Sequence, residues 1–231
     1  MATTTALGYD DLPTLLALLD GDEKHDPSAE STLDVLWVLY DRVLRVDPAD
    51  PDEPERDRFL LSKGHGPSAY YAILAAKRFL PVEALQGFGS FASPLGHHPD
   101  RALVPGVEIS SGSLGHGLPM AVGIALALDL EPLNPARVFC LLGDGELDEG
   151  SNFEAIQLAG RLGLRRLVVV LVDNGSSTHG WPGGPATRFE VEGWSTVTVS
   201  GRDHDALEAA LGSQPVSRPR LVVVRVEGSP E

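Results

Sequence analysis

Gly143-Asp144-Gly145-Glu146-Leu147-Asp148-Glu149-Gly150, followed by Asp173-Asn174-Gly175, is the stretch on which the fold of this chain turns. Asp144 and Asn174 each stand just past a short apolar run, Arg137–Leu142 (RVFCLL) and Arg166–Val172 (RLVVVLV). Runs this short, β-branched and bounded by Gly and Asp read as strands buried on both faces. Between them Ser151–Leu162 (SNFEAIQLAGRL) spaces its apolar residues as a helix does. A strand–helix–strand crossover follows, and its two strands point the same way. Asp144 and Asn174 then emerge at one edge of the sheet, where α/β folds place their ligands. Two hard oxygen donors beside a Gly-flanked backbone suit a Mg²⁺ that keeps coordination positions for phosphate oxygens.

Composition narrows the partners. The 231 residues are 42% hydrophobic and carry 18 Lys+Arg against 33 Asp+Glu, a net charge of −15. That is enough chain for one substantial core, so residues 1–231 are expected to form a single domain. No basic run is present, which argues against nucleic acid or an anionic membrane as partner. The lone Cys140 sits inside an apolar run, where a buried thiol is expected rather than a nucleophile. The N-terminus lacks the basic start and apolar stretch of a signal peptide, and no apolar run approaches the roughly 20 residues that span a bilayer. A soluble, cytoplasmic protein is the expectation.

Elsewhere, Tyr9–Leu19 reads as a short amphipathic helix and Glu30–Val46 as a longer one. Arg58–Leu61 is a strand candidate, with a helix at Gly66–Lys77 after it. Leu118–Leu130 (LPMAVGIALALDL) is apolar nearly all round, as for a helix buried between layers or at a subunit interface. Ser195–Ser200 and Arg220–Val226 are strand candidates around a helix at His204–Leu211. Strands alternating with helices predict an α/β fold, a parallel sheet with helices on both faces.

At this point the chain resembles a known family. Gly-Asp-Gly followed about thirty residues later by Asn is similar to the thiamine diphosphate signature of the transketolase family. Three more blocks resemble that family in the same order: Arg56–His65 (RDRFLLSKGH), Pro105-Gly106-Val107-Glu108 and Gly112–Gly117 (GSLGHG). The resemblance implies a thiamine diphosphate-binding fold. It also implies Mg²⁺ held by Asp144, Asn174 and the carbonyl of Ser176. The implied cofactor-binding set is His65, Ser113, Leu114, Gly115, Gly143, Asp144, Gly145, Glu146, Asn174 and Ser176.

For catalysis the resemblance implies His65 near the diphosphate, His98 at the substrate's reacting carbon, and His25 with Asp34 nine residues on. Glu149 and Glu154 match glutamates of an acidic network that crosses the family's subunit interface. Helix-start anions at these two positions are also ordinary. Departures fall on the substrate side. His25-Asp26-Pro27-Ser28 stands where the family usually has His-x-Gly-Gly, and Pro27 cannot copy a glycine's φ > 0 conformation. His97 replaces a Gly before the His-Pro pair, and His116 replaces a Gln. An altered substrate is the expectation.

In the family, a glutamate on a separate pyrimidine-binding domain activates the cofactor, and this chain is about a whole domain too short to include one. The resemblance therefore implies the N-terminal subunit of a split transketolase. Its partner would be a C-terminal subunit carrying the pyrimidine-binding and C-terminal domains, in an α₂β₂ assembly. The implied reaction moves a two-carbon ketol unit from a ketose, expected to be phosphorylated, to an aldehyde. Two alternatives stay open: the α component of a 2-oxo acid dehydrogenase or decarboxylase, and a noncatalytic subunit that kept the fold.

Overall fold

The computed structural model describes residues 7–19, 26–64, 67–131, 133–213 and 217–226, with the side chains of 26–31 left aside. Five strands form one sheet in the order β1-β2-β3-β5-β4: β1 (Arg58–Leu61), β2 (Val138–Gly143), β3 (Leu167–Asp173), β4 (Ser195–Ser200) and β5 (Arg220–Arg225). Every pairing is parallel. Seven α-helices accompany them: α1 (Leu12–Leu16), α2 (Asp26–Val38), α3 (Ser68–Ala76), α4 (Gly117–Asp129), α5 (Gly150–Leu162), α6 (Pro185–Glu190) and α7 (His204–Gly212).

The continuous apolar runs split by residue parity, because successive side chains of a strand point to opposite faces. Phe59, Leu61, Phe139, Leu141, Val168, Val170, Val222 and Val224 join α1, α2, α3 and α7 in one core. Leu60, Val138, Cys140, Leu142, Val169, Leu171, Leu221 and Val223 join α4, α5 and α6 in the other. Both faces are thus covered, as a parallel sheet requires. The chain steps outward past β3 to β4 and then returns to insert β5. A right-handed crossover run in the reverse direction puts its helix on the opposite face, which is where α7 lies.

Several boundaries differ from the sequence expectation. The helix expected at Glu30 starts at Asp26, since the fixed φ of Pro27 suits a first helical turn. It ends as α-helix at Val38 and continues as one π-helical turn, Leu39–Val43, rather than running to Val46. The Tyr9–Leu19 helix is a 3₁₀ turn, Tyr9–Asp11, followed by the five residues of α1. Helix α6 escaped the sequence reading altogether: six residues behind Gly184 and Pro185 carry too little periodicity to register. The outer face of α4 leaves Met120 and Leu126 exposed, so this helix is not sandwiched between layers. No helix among the described residues is long and apolar enough to cross a membrane.

Candidate diphosphate and metal site

The register puts Gly143 beside Val172, so Asp144 and Asn174 leave adjacent strands at the same, C-terminal edge. Asp144 opens a 3₁₀ turn, Asp144–Asp148, before α5 begins. Its carboxylate is buried and accepts three hydrogen bonds: from Gly145 N (2.9 Å), Ser176 Oγ (2.5 Å) and Ser177 N (3.0 Å). Asn174 Oδ1 in turn accepts from Ser176 N at 3.3 Å. The Ser176 carbonyl lies 3.6 Å from where a Cβ on residue 145 would stand, which brings the two strand tips within ordinary contact of each other. Asp144 and, 32 residues on, the Asn174–Ser176 segment are therefore joined across the β2 and β3 tips.

A second loop closes on the same edge. Glu146 is 2% exposed; its Oε1 accepts from Gly115 N (2.9 Å) and from the Ser62 hydroxyl. Ser62 Oγ also accepts from Gly117 N at 3.1 Å. Burial pushes the Glu146 carboxyl up, against the pull of Ser62 and the Gly115 and Gly143 backbone, and among the described residues its Oε2 has no hydrogen-bond partner within ordinary geometry. Asn152 Nδ2 donates to the Glu146 carbonyl at 2.7 Å. Gly115 adopts φ +81°, and a Cβ there would sit 2.6 Å from both Glu149 Cβ and Ser151 Oγ. Gly115→Ala is thus expected to strain the loop by about 1–3 kcal/mol. It should weaken Mg²⁺-dependent cofactor uptake about tenfold with an unchanged circular dichroism spectrum, and unchanged uptake would place the loop outside the site.

Beside these loops Gly64 packs so tightly on Gly112 that a Cβ would lie 2.6 Å from Gly112 N, and Gly112 in turn abuts the His98 ring. His98 is exposed at this edge. His97 instead packs edge-on against Phe88, centroids 5.3 Å apart, and serves its own loop. His116 is exposed just before α4 and makes no side-chain cap. His65 and His25 lie outside the described residues. Asp34 is buried within a network instead, accepting from Tyr9 OH (2.6 Å) and Arg202 (2.7 Å) and pairing with His204 Nε2 (2.7 Å). Ser113, Glu149 and Glu154 are exposed, Leu114 half-buried and Gly115 buried.

Sequence reasoning passed over Ser62, Lys63 and Ser177, whose parts depend on neighbours thirty to eighty residues away. It also passed over a cleft of about 210 Å³ behind Asp144, walled by Leu147, Asp148, Trp181 and Arg188. The Arg188 guanidinium lies 3.2 Å over the Phe153 ring. Burial lowers its pKa to about 10.

Among the described residues no group of three or more His, Cys, Asp or Glu side chains converges on a metal position. One carboxylate, one carboxamide and a backbone carbonyl make a different donor set, all oxygen, which matches Mg²⁺ completed by phosphate rather than a nitrogen- and thiolate-rich Zn²⁺ site. The N-terminus of the 13-residue α4 lies at the same edge, with its Gly117 amide already taken by Ser62 Oγ. The residues present fit a magnesium diphosphate.

A wholly parallel sheet with glycine-rich loops and an oxygen donor set at its strand tips defines an α/β diphosphate-binding domain. Residues 19–230 match the family model described as transketolase, thiamine diphosphate binding domain, and the chain belongs to that family. It is 54% identical over 222 residues to a protein named ferredoxin fas2 from Rhodococcoides fascians, covering 96% of this chain and 73% of that one. It is 36% identical to a 6-deoxy-6-sulfo-D-fructose transketolase subunit from Clostridium sp. (strain MSTE9), covering 87% and 75%. The transketolase of Campylobacter jejuni superposes with a TM-score of 0.78 at 26% identity, over 94% of this chain but 37% of its own. This chain thus spans little more than a third of that enzyme.

Proposed function

We propose that this chain is the diphosphate-binding subunit of a two-subunit transketolase. In this reading it transfers a two-carbon ketol unit from a ketose, expected to be phosphorylated, to an aldehyde acceptor. The observation that carries the reading is the convergence of Asp144, Asn174 and Ser176 at the β2 and β3 tips beside the Gly115 loop. Asp144, Asn174 Oδ1 and the Ser176 carbonyl hold Mg²⁺, and Gly145 leaves room for the diphosphate. Ser113, Leu114 and Gly115 line its other side, with Gly143, Glu146 and His65 completing the cradle. When bound, thiamine diphosphate supplies the electron sink that carbon–carbon cleavage needs. His98 would hydrogen-bond the substrate's oxygens from the exposed edge, where exclusion of water strengthens such a bond, and His25 takes the same part only as the resemblance implies.

The remaining machinery comes from a C-terminal subunit with the pyrimidine-binding and C-terminal domains, in an α₂β₂ assembly. Its docking face is the exposed apolar strip of α4 and α5: Met120, Leu126, Phe153, Leu158 and Leu162. These are large apolar side chains left exposed on two helices that pack against each other. Glu149 and Glu154 lie beside it and would reach the family's inter-site acidic network there.

Co-purification with the product of the adjacent reading frame, followed by ketose and aldehyde turnover with Mg²⁺ and thiamine diphosphate, tests the reading. A complex that takes up cofactor yet never consumes ketose would establish the noncatalytic alternative. Leu126→Glu combined with Leu158→Glu should leave the chain folded but abolish co-purification. Retention of the complex would move the interface elsewhere.

A further inference from the structure

Resting on the thiamine diphosphate reading, we infer that Lys63 is a cofactor-binding residue, its ammonium supplying positive charge to the diphosphate from the floor of the cradle. Lys63 follows β1, and its backbone N–H donates to the Leu141 carbonyl of β2 at 3.1 Å, which fixes the direction in which the side chain leaves. The aliphatic stem then crosses the tip of β2. A Cβ on residue 143 would meet Lys63 Cδ at 3.3 Å and Cγ and Cε at 3.5 Å, so Gly143 is the groove along which the stem lies. Asp144 and Glu146 are among the charges that act on its ammonium.

These two carboxylates behave differently. Both oxygens of Asp144 accept hydrogen bonds from the 145–177 region and Asp144 is a proposed metal ligand. Glu146 is committed through Oε1 to the Ser62 hydroxyl and Gly115 N, while among the described residues its buried Oε2 has no hydrogen-bond partner within ordinary geometry. Glu146 therefore pins the Gly115 loop from a buried position, and its charge acts on the Lys63 ammonium.

The charge balance calls for a cation at this point. A diphosphate ester carries more negative charge than one Mg²⁺ cancels, and the near surroundings already include Asp144, Glu146 and Asp148. Arg188, which lines a cleft together with Asp144 and Ser177, has its guanidinium stacked on the Phe153 ring. Lys63 is on the cradle side, between the β1 tip and the Gly143–Glu146 turn. A compact ammonium on a flexible stem serves a phosphate as a point charge without demanding a fixed bidentate geometry. The Ser62-Lys63-Gly64 tripeptide then has one duty per residue: Ser62 ties the α4 loop, Lys63 faces the phosphates, and Gly64 lets Gly112 approach.

Titration calorimetry on the full chain, alone and in the co-purified complex, tests this with two probes: Mg²⁺ plus thiamine diphosphate, and Mg²⁺ plus inorganic pyrophosphate. Lys63→Met should weaken both about 10- to 100-fold, the range for a hydrogen bond to a charged group, while thiamine lacking the diphosphate binds as it does to the unaltered chain. Lys63→Arg keeps the charge and should recover most of the loss, and it carries the test if the methionine variant melts early. Binding of pyrophosphate by Lys63→Met within about threefold of the unaltered chain, with Asp144→Ala still losing it, overturns the role of Lys63 and leaves the cofactor reading standing. No Mg²⁺-dependent binding by the unaltered chain in either state overturns both.

Discussion

Asp144→Ala is expected to abolish Mg²⁺-dependent uptake of thiamine diphosphate, raising the dissociation constant more than about 100-fold. The carboxylate is the one charged member of the proposed donor set, and a divalent cation loses most of its electrostatic attraction with it. The same carboxylate also organises the turn, accepting from Ser176 Oγ and Ser177 N. Asp144→Asn separates these duties. It keeps an acceptor for the Ser177 amide but removes the charge, so it should hold the melting temperature near that of the unaltered chain while still losing Mg²⁺-dependent uptake. Calorimetric titration with and without Mg²⁺ decides the matter. Uptake preserved in both variants would leave Asp144 as a structural cap.

Asp57→Ala should destabilise the fold by about 3–5 kcal/mol, the cost of leaving buried charges without their partner. Asp57 precedes β1, and its carboxyl is fully buried. It accepts from Arg45 N (3.0 Å), Arg45 Nη2 (2.8 Å), Arg137 N (2.9 Å) and Arg137 Nη2 (2.6 Å). One carboxylate thus anchors the starts of β1 and β2 and the segment after α2. Burial by itself raises its pKa, but Arg137 and Arg45 more than offset that and hold it below the usual carboxylate range. The sign follows from linkage. A depressed folded pKa gives stability that is complete above the unfolded value, about 3.9, and is lost as pH falls through the folded one. Thermal melts should therefore show the unaltered chain losing its advantage over Asp57→Ala below about pH 4. A gap that stays constant into acid would mean that packing, and not charge, makes the contribution.

Neither residue drew equal notice from the sequence. Asp144 announces itself, because a Gly-Asp-Gly after a buried apolar run has few structural uses beyond a turn at the ligand edge of a sheet. Asp57 sat unremarked inside the Arg56–His65 block, since nothing local says that Arg137 will arrive eighty residues later. The same contrast runs through the histidines. His98 was picked out by its neighbours Pro99 and Asp100, and the fold brings it against Gly112. His97, adjacent and chemically identical, is turned instead onto Phe88. Asp34, matched to the family by its place nine residues beyond His25, is held by Tyr9, Arg202 and His204. Arg202 and His204 lie 168 and 170 residues further along the chain, a separation that no local pattern encodes.

Hydrophobic period and punctuation, which are local properties, determined the five strands, the parallel sense of β2 and β3, and the emergence of Asp144 and Asn174 at a common edge. They determined those things because a buried strand and its crossover helix each fit within a window of a dozen residues. The tertiary structure alone decided that β5 inserts between β3 and β4, and that Ser62, Lys63, Gly115 and Glu146 meet in one cradle. Those contacts join loops from different strand ends, and their partners are chosen by how the layers pack once the sheet has formed.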